Sequence, residues 1–197
     1  DKAPEYKMLT NYDLIEKIRA SHGHKVACIS IGPAGEMKLS ASSIACTDME
    51  FRPTRHAGRG GVGAVMGSKG VKVIILDDAG LENRNPADPD KFREANKKFV
   101  DGLRTHPVTG SGLPAYGTSV LVNLINEAGG FPTNNFREGR FAGVSKISGE
   151  TIADLETKRG ANPTHGCHRG CVIRCSGTYN DKNGKFLSKQ PEYETVW

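Results

Sequence analysis

The sequence predicts an α+β fold, with a β-rich first part followed by a mainly helical segment. Two patterns predict it. Short apolar runs of strand character lie before residue 80, in 25–31 (KVACISI), 37–46 and 71–76 (VKVIIL). Beyond residue 80, apolar residues recur at helical spacing over 90–103, 116–128 and 148–158. The change of pattern places a domain boundary there, giving segments 1–80 and 81–197.

Residues 10–21 read as a helix, with Leu14, Ile15 and Ile18 on one face, Thr10 or Asn11 as cap and Gly23 as stop. The run 25–31 alternates Val26, Cys28 and Ser30 with Ala27, Ile29 and Ile31, which predicts a strand buried on both faces. Gly32-Pro33-Ala34-Gly35 is a sharp break. A second strand is expected over 37–46, where Met37, Leu39 and Ala41 alternate. A short helix is expected over 62–66, and 71–76 is a strand. Asp77 to Pro89 reads as a linker. The helix over 90–103 carries Phe92, Ala95, Phe99 and Leu103, and that over 116–128 carries Val120, Leu121, Leu124 and Ile125. Gly129-Gly130 stops the latter. Ser148 and Thr151 offer caps for the helix over 148–158.

Composition narrows the function classes. The chain has 197 residues and a net charge of +5. That excess suits an anionic cofactor but is too mild and too scattered to argue for nucleic acid. No run of 18 apolar residues occurs, so no membrane span is expected. Glycine is in excess, at 24 of 197 residues against a usual level of roughly 7%. With no collagen-like period, the excess marks places where backbone comes close to something else.

Much of that glycine falls in one loop. Gly58, Gly60, Gly61, Gly63 and Gly67 stand close to Arg55, Arg59 and Lys69. Glycine lets backbone N–H groups approach an anion, and arginine offers paired donors to phosphate. A helix starting at Gly61 or Val62 would add its N-terminal dipole. Gly58 to Gly63 spells G-x-G-x-x-G, but no strand is expected to lead into it, so the dinucleotide fingerprint fits poorly. A Walker A loop fits no better, because Gly63 to Gly67 is one residue short. The competing account is a glycine-rich turn with surface arginines.

Three of the five cysteines, Cys167, Cys171 and Cys175, form a C-x3-C-x3-C array. Such crowding points to metal or cluster ligation in a reducing compartment, the cytoplasm, rather than to a disulfide scaffold. An iron–sulfur cluster needs several thiolates on a short bent segment and normally a fourth ligand from elsewhere. Structural zinc prefers C-x2-C knuckles, for which Cys28 with Cys46, or His165 and His168, would have to supply the second pair.

Residues 55–76 (RHAGRGGVGAVMGSKGVKVIIL) resemble the signature of the aldehyde ferredoxin oxidoreductase family, which contains tungsten or molybdenum. The resemblance extends to Ser30 through Glu36, to 101–130 with Gly112-Leu113-Pro114 and Tyr116-Gly117-Thr118, to Asn134-Asn135-Phe136, and to the cysteine array followed by Pro191-Glu192-Tyr193-Glu194. It implies two pyranopterins around one tungsten or molybdenum, a magnesium ion joining their phosphates, and a nearby 4Fe–4S cluster. Segment 1–80 would then be the C-terminal part of the pterin-binding β-rich domain, and segment 81–197 the start of the helical domain with the cluster-binding cysteines.

The resemblance assigns residues as well. Arg55, Gly58 and Arg59 match cofactor-contacting positions. His56 stands where the family usually has alanine, whose carbonyl helps hold magnesium. Cys167, Cys171 and Cys175 would carry three irons of the cluster. The family array is usually C-x2-C-x3-C, so His168 occupies the usual first position and Cys167 lies one residue earlier. A one-residue insertion with Cys167 as ligand is the preferred reading, and histidine ligation the other. Glu194 matches a glutamate near the metal, where a desolvated carboxylate would act as general acid or base; an ordinary hydrogen-bonding role for Glu192 or Glu194 is the competing reading.

The implied activity is oxidation of a small aldehyde to a carboxylic acid, with electrons leaving through the cluster to a ferredoxin-like acceptor. The resemblance leaves tungsten versus molybdenum, the aldehyde and a homodimer of the full-length protein open. Family members are about three times longer, so the chain is expected to be an interior slice, inactive alone, with the fourth cluster ligand beyond it. Two readings compete: a nucleotide-binding protein with a zinc knuckle, and a non-enzymatic electron-transfer module.

Overall fold

The computed structural model describes residues 2–82 and 84–189. They fall into two compact units that meet in sequence between residues 83 and 84. The first contains a 3-10 turn, Pro4–Tyr6, and then α1 (Asn11–His22), β1 (Ala27–Ser30), α2 (Pro33–Glu36), β2 (Ile44–Cys46), β3 (Arg55–Ala57), α3 (Val62–Ser68) and β4 (Val73–Leu76). Its sheet is antiparallel throughout, in the order β3-β2-β1-β4.

Sequence and structure agree closely at α1. The Thr10 hydroxyl accepts from the Asp13 N–H at 3.2 Å, and Gly23 ends the helix at φ 93°. Leu14, Ile15 and Ile18 are buried with Tyr6, Val26 and Cys28, and Val73 and Ile75 pack against them. Each fully buried aliphatic side chain of this kind contributes about 1.5–3 kcal/mol. Ser30, on the same face of β1, donates to Asn11 of α1 at 3.1 Å.

The opposite face corrects the expectation of a strand buried on both sides. The pairing Ala27↔Leu76 and Ile29↔Ile74 puts these four residues on one face. Ala27 and Ile29 are only half-buried, and Ile74 and Leu76 are exposed. The strand expected over 37–46 also shrinks to Ile44–Cys46. Met37 and Leu39 are instead held by N–H bonds to Pro33 and Ala34 carbonyls, which continue the turn of α2 and leave both side chains exposed. The Pro33–Gly35 break is thus a helical turn. Half-buried Lys72 secures it by donating to Glu36 at 2.7 Å and to the Leu9 carbonyl at 2.9 Å.

The second unit contains α4 (Pro89–Thr105), a π-helical turn (Val108–Gly112), α5 (Leu113–Tyr116), a 3-10 turn (Gly117–Val120), α6 (Leu121–Glu127), a further 3-10 turn (Val144–Lys146), α7 (Gly149–Lys158) and the strands β5 (Thr164–His165), β6 (Ser176–Asn180) and β7 (Phe186–Lys189). α4 and α7 match their patterns, and Ser148 caps α7 through the Thr151 N–H at 3.3 Å. The helix expected over 116–128 is broken, because Gly117 at φ 64° ends α5 and a 3-10 turn intervenes before α6.

The antiparallel sheet β5-β6-β7 carries no apolar alternation, so the sequence pattern marks no strand there. It is held by polar groups instead. Glu156 on α7 is fully buried, and its carboxylate accepts from Arg159 Nη1 at 3.1 Å and from Asn180 Nδ2 on β6 at 2.8 Å. Such a group is tolerated only when paired and bonded in this way. By contrast, α4 buries no residue, and Phe92 and Phe99 are exposed. Among the described residues no helix is long and apolar enough to cross a membrane.

Candidate functional site

The glycine-arginine loop leaves the sheet from a strand the sequence did not reveal. β3 is three residues long and lacks β-branched residues, and only its pairing with β2 (Cys46↔Arg55, Ala45↔His56, Ile44↔Ala57) makes it a strand. Asp48 aims the chain into it. Its Oδ1 accepts the Glu50 and Arg52 N–H groups, both at 2.9 Å, and its Oδ2 accepts the Thr54 hydroxyl at 2.7 Å. Sequence reasoning passed over Asp48; an aspartate ahead of a Pro-Thr turn is the signal that would have found it.

Arg55 is half-buried, while His56, Gly58 and Arg59 are exposed. The His56 ring is turned to Ser43, with Nδ1 2.8 Å from Oγ. The imidazole therefore has a place on the surface. The glycines divide into two kinds. A Cβ on Gly63 would come within 2.5 Å of the Ser43 carbonyl oxygen, and one on Gly67 would strike the Gly35 carbonyl. Both are glycine because α3 packs against backbone. Gly58 has open space around it and no left-handed φ. The fold makes no demand for glycine there.

The cysteine array forms the connection between β5 and β6. Its base is closed by the pairs Thr164↔Gly177 and His165↔Ser176. Arg174 donates to the Thr164 carbonyl at 2.7 Å, and the Thr118 N–H and hydroxyl donate to the Cys175 carbonyl at 2.7 and 2.9 Å. Within the loop, the Cys171 N–H donates to the His168 carbonyl at 3.3 Å, and Gly170 turns the chain at φ 79°. A Cβ on Gly166 would lie 3.0 Å from the Cys171 Cβ, so the missing side chain makes room for that cysteine.

This folding brings Cys167, His168 and Cys171 together, with their donor atoms all within 4.8 Å of one another. Cys175 is exposed and stands outside that trio. Partial burial pushes the Cys171 thiol up, but hydrogen bonds from the Arg174, Ile173 and Cys167 backbone and from the Cys167 side chain outweigh it and hold the thiol below its ordinary range. Donor chemistry and a bent, exposed loop fit a thiolate-bound metal group. Cys28 and Cys46 do not supply a second zinc pair. Cys28 faces the α1 core, and Cys46, paired with Ile29, lies on the opposite face of the sheet. Glu192 and Glu194 lie outside the described residues.

Comparison with known proteins bears on both loops. Residues 1–78 match the sequence model of the aldehyde ferredoxin oxidoreductase N-terminal domain, and residues 94–197 match that of domains 2 and 3 of the same enzyme. The tungsten-containing aldehyde ferredoxin oxidoreductase of Pyrococcus horikoshii is 42% identical over 87% of this chain and 26% of its own length. That of Pyrococcus abyssi is 40% identical over 95% of this chain and 28% of its own length. The chain thus spans about a quarter of the length of these relatives. A solved chain of the active-site complex BamBC of benzoyl-coenzyme A reductase, in complex with 1,5-dienoyl-CoA, superposes with a TM-score of 0.65. That superposition covers 98% of this chain and 29% of the other at 21% identity, a likeness of fold.

Proposed function

The chain belongs to the aldehyde ferredoxin oxidoreductase family, and on that premise we propose that it forms part of an enzyme that oxidises a small aldehyde to a carboxylic acid at a tungsten bis-pyranopterin centre. Its relatives are named tungsten-containing, which favours tungsten over molybdenum. The reaction takes water and an aldehyde to a carboxylic acid, two protons and two electrons. When bound, the tungsten–pterin group supplies the two-electron oxidation, and an iron–sulfur cluster passes the electrons singly to a ferredoxin-like acceptor.

In this reading each loop has a task. The Arg55 and Arg59 guanidinium groups would bind pterin phosphate, and the His56 carbonyl would help hold a magnesium ion. Cys167, Cys171 and Cys175 hold a 4Fe–4S cluster, with the fourth ligand supplied from elsewhere in the protein. Glu194 carries a proton to or from the reacting oxygen.

The observation that carries the proposal is Gly58. It is glycine in open space, in a conformation any residue adopts. Packing does not require it, whereas close approach of a flat cofactor to the backbone does. Replacing Gly58 with valine is expected to leave the melting temperature of the cofactor-free protein unchanged and to lower the pterin and tungsten bound in the native holoenzyme together. Full pterin occupancy in G58V would remove this support.

A further inference from the structure

The cysteine loop is shaped for more than a cluster. We propose that Cys167, His168 and Cys171 together bind a single thiophilic divalent cation, zinc or ferrous iron, when no cluster is installed. Around one tetrahedral ion with metal–sulfur bonds of about 2.3 Å, neighbouring donor atoms stand somewhat under 4 Å apart. The three donors here lie within 4.8 Å of one another, so a small inward movement closes them on one ion. Cysteines bound to different irons of a cubane stand further apart, since two metals and their bridging sulfides lie between them. The present spacing of Cys167 and Cys171 therefore suits one ion better than two corners of a cluster.

The imidazole supports the same conclusion. Nδ1 of His168 lies 2.8 Å from the Arg169 carbonyl oxygen. A carbonyl only accepts, so Nδ1 carries the proton and Nε2 keeps its lone pair. Metal-ligating histidines are usually oriented in this way, with the second ring nitrogen donating to a carbonyl or carboxylate. The loop also sets the reach of the trio. Gly166 leaves room for Cys171, and the His168–Cys171 turn brings the two ends of the set together. Cys167 and His168 are exposed, so an ion has an open path and solvent fills the fourth position. Cys2His with one solvent ligand is an established coordination for zinc.

The single-ion site and the cluster share Cys167 and Cys171, so they exclude each other in one molecule. The ion is the occupant of the cluster-free chain. The two sites also make opposite demands. The cluster uses Cys175 and has no need of His168, whereas the single ion uses His168 and has no need of Cys175. The proposal stands on the geometry of this loop and does not depend on the pterin or the aldehyde.

Cobalt(II) titration of the reduced, metal-free full-length protein tests it, read by thiolate-to-cobalt charge-transfer absorption. One ion is expected to bind per chain, with displacement by zinc. H168A is expected to weaken binding by more than about tenfold, and C175S to leave affinity and spectrum unchanged. Both substitutions are at exposed positions, and circular dichroism checks that the fold persists. Absence of saturable binding by the unaltered chain would overturn the proposal. So would binding that needs Cys175 and ignores His168, which would instead describe a three-cysteine site.

Discussion

Cys171 and Cys28 carry the same thiol in opposite surroundings. Around Cys171, hydrogen bonds from the loop outweigh a modest desolvation and lower the thiol; at Cys28, burial against α1 raises it. In the reduced, metal-free chain at pH 7, iodoacetamide followed by peptide mapping is expected to label Cys171 at least about ten times faster than Cys28. Because its pKa is lowered, the labelling of Cys171 also persists to lower pH than that of an ordinary thiol. Equal rates would show that the loop does not stabilise a thiolate. That Cys167, Cys171 and Cys175 lie close together in the chain was legible from their spacing alone. Their grouping was not, because it depends on the turn at Gly170 and on the space left by Gly166, neither of which any spacing rule expresses. The departure at Cys167 and His168 was visible as a choice between two ligands, whereas folding places both side chains in the same set.

At the scale of elements, the glycines of the loop separate packing from ligand approach. Gly67 lies against the Gly35 carbonyl, so a methyl group there forces α3 away from α2. G67A is expected to lower the unfolding free energy by about 2 kcal/mol, measured by urea titration, whereas a chain as stable as the parent would contradict the close packing of the two helices. The long amphipathic helix α4 and the capped helices α1 and α7 were legible because periodicity and capping residues act locally. β3 was not, because three residues carry no period and its partner strand lies nine residues earlier. The β5-β6-β7 sheet escaped for a different reason. Its order rests on Thr164, Glu156, Asn180 and backbone pairing, and apolar alternation reports only sheets that bury one oily face. The break at Gly117 was hidden inside a run whose apolar residues keep nearly helical spacing across it.

At the scale of the molecule, the chain is two compact units matched by successive domain models of one enzyme family. Each unit leaves apolar surface open: Ile74 and Leu76 in the first, Phe92 and Phe99 in the second. The family was legible from 55–76 and the cysteine array because both are runs of unusual residue types at fixed spacing, whereas apolar periodicity is shared by unrelated folds. The central claim is that the loop from Arg55 to Gly61 and the loop from Cys167 to Cys175 serve a pterin-bound tungsten and an iron–sulfur cluster. Metal, sulfide and pterin analysis of the native protein purified without oxygen tests this most directly. Tungsten, pterin, iron and acid-labile sulfide are expected to co-purify in fixed proportion. Zinc as the sole metal, with neither pterin nor tungsten, would contradict the account.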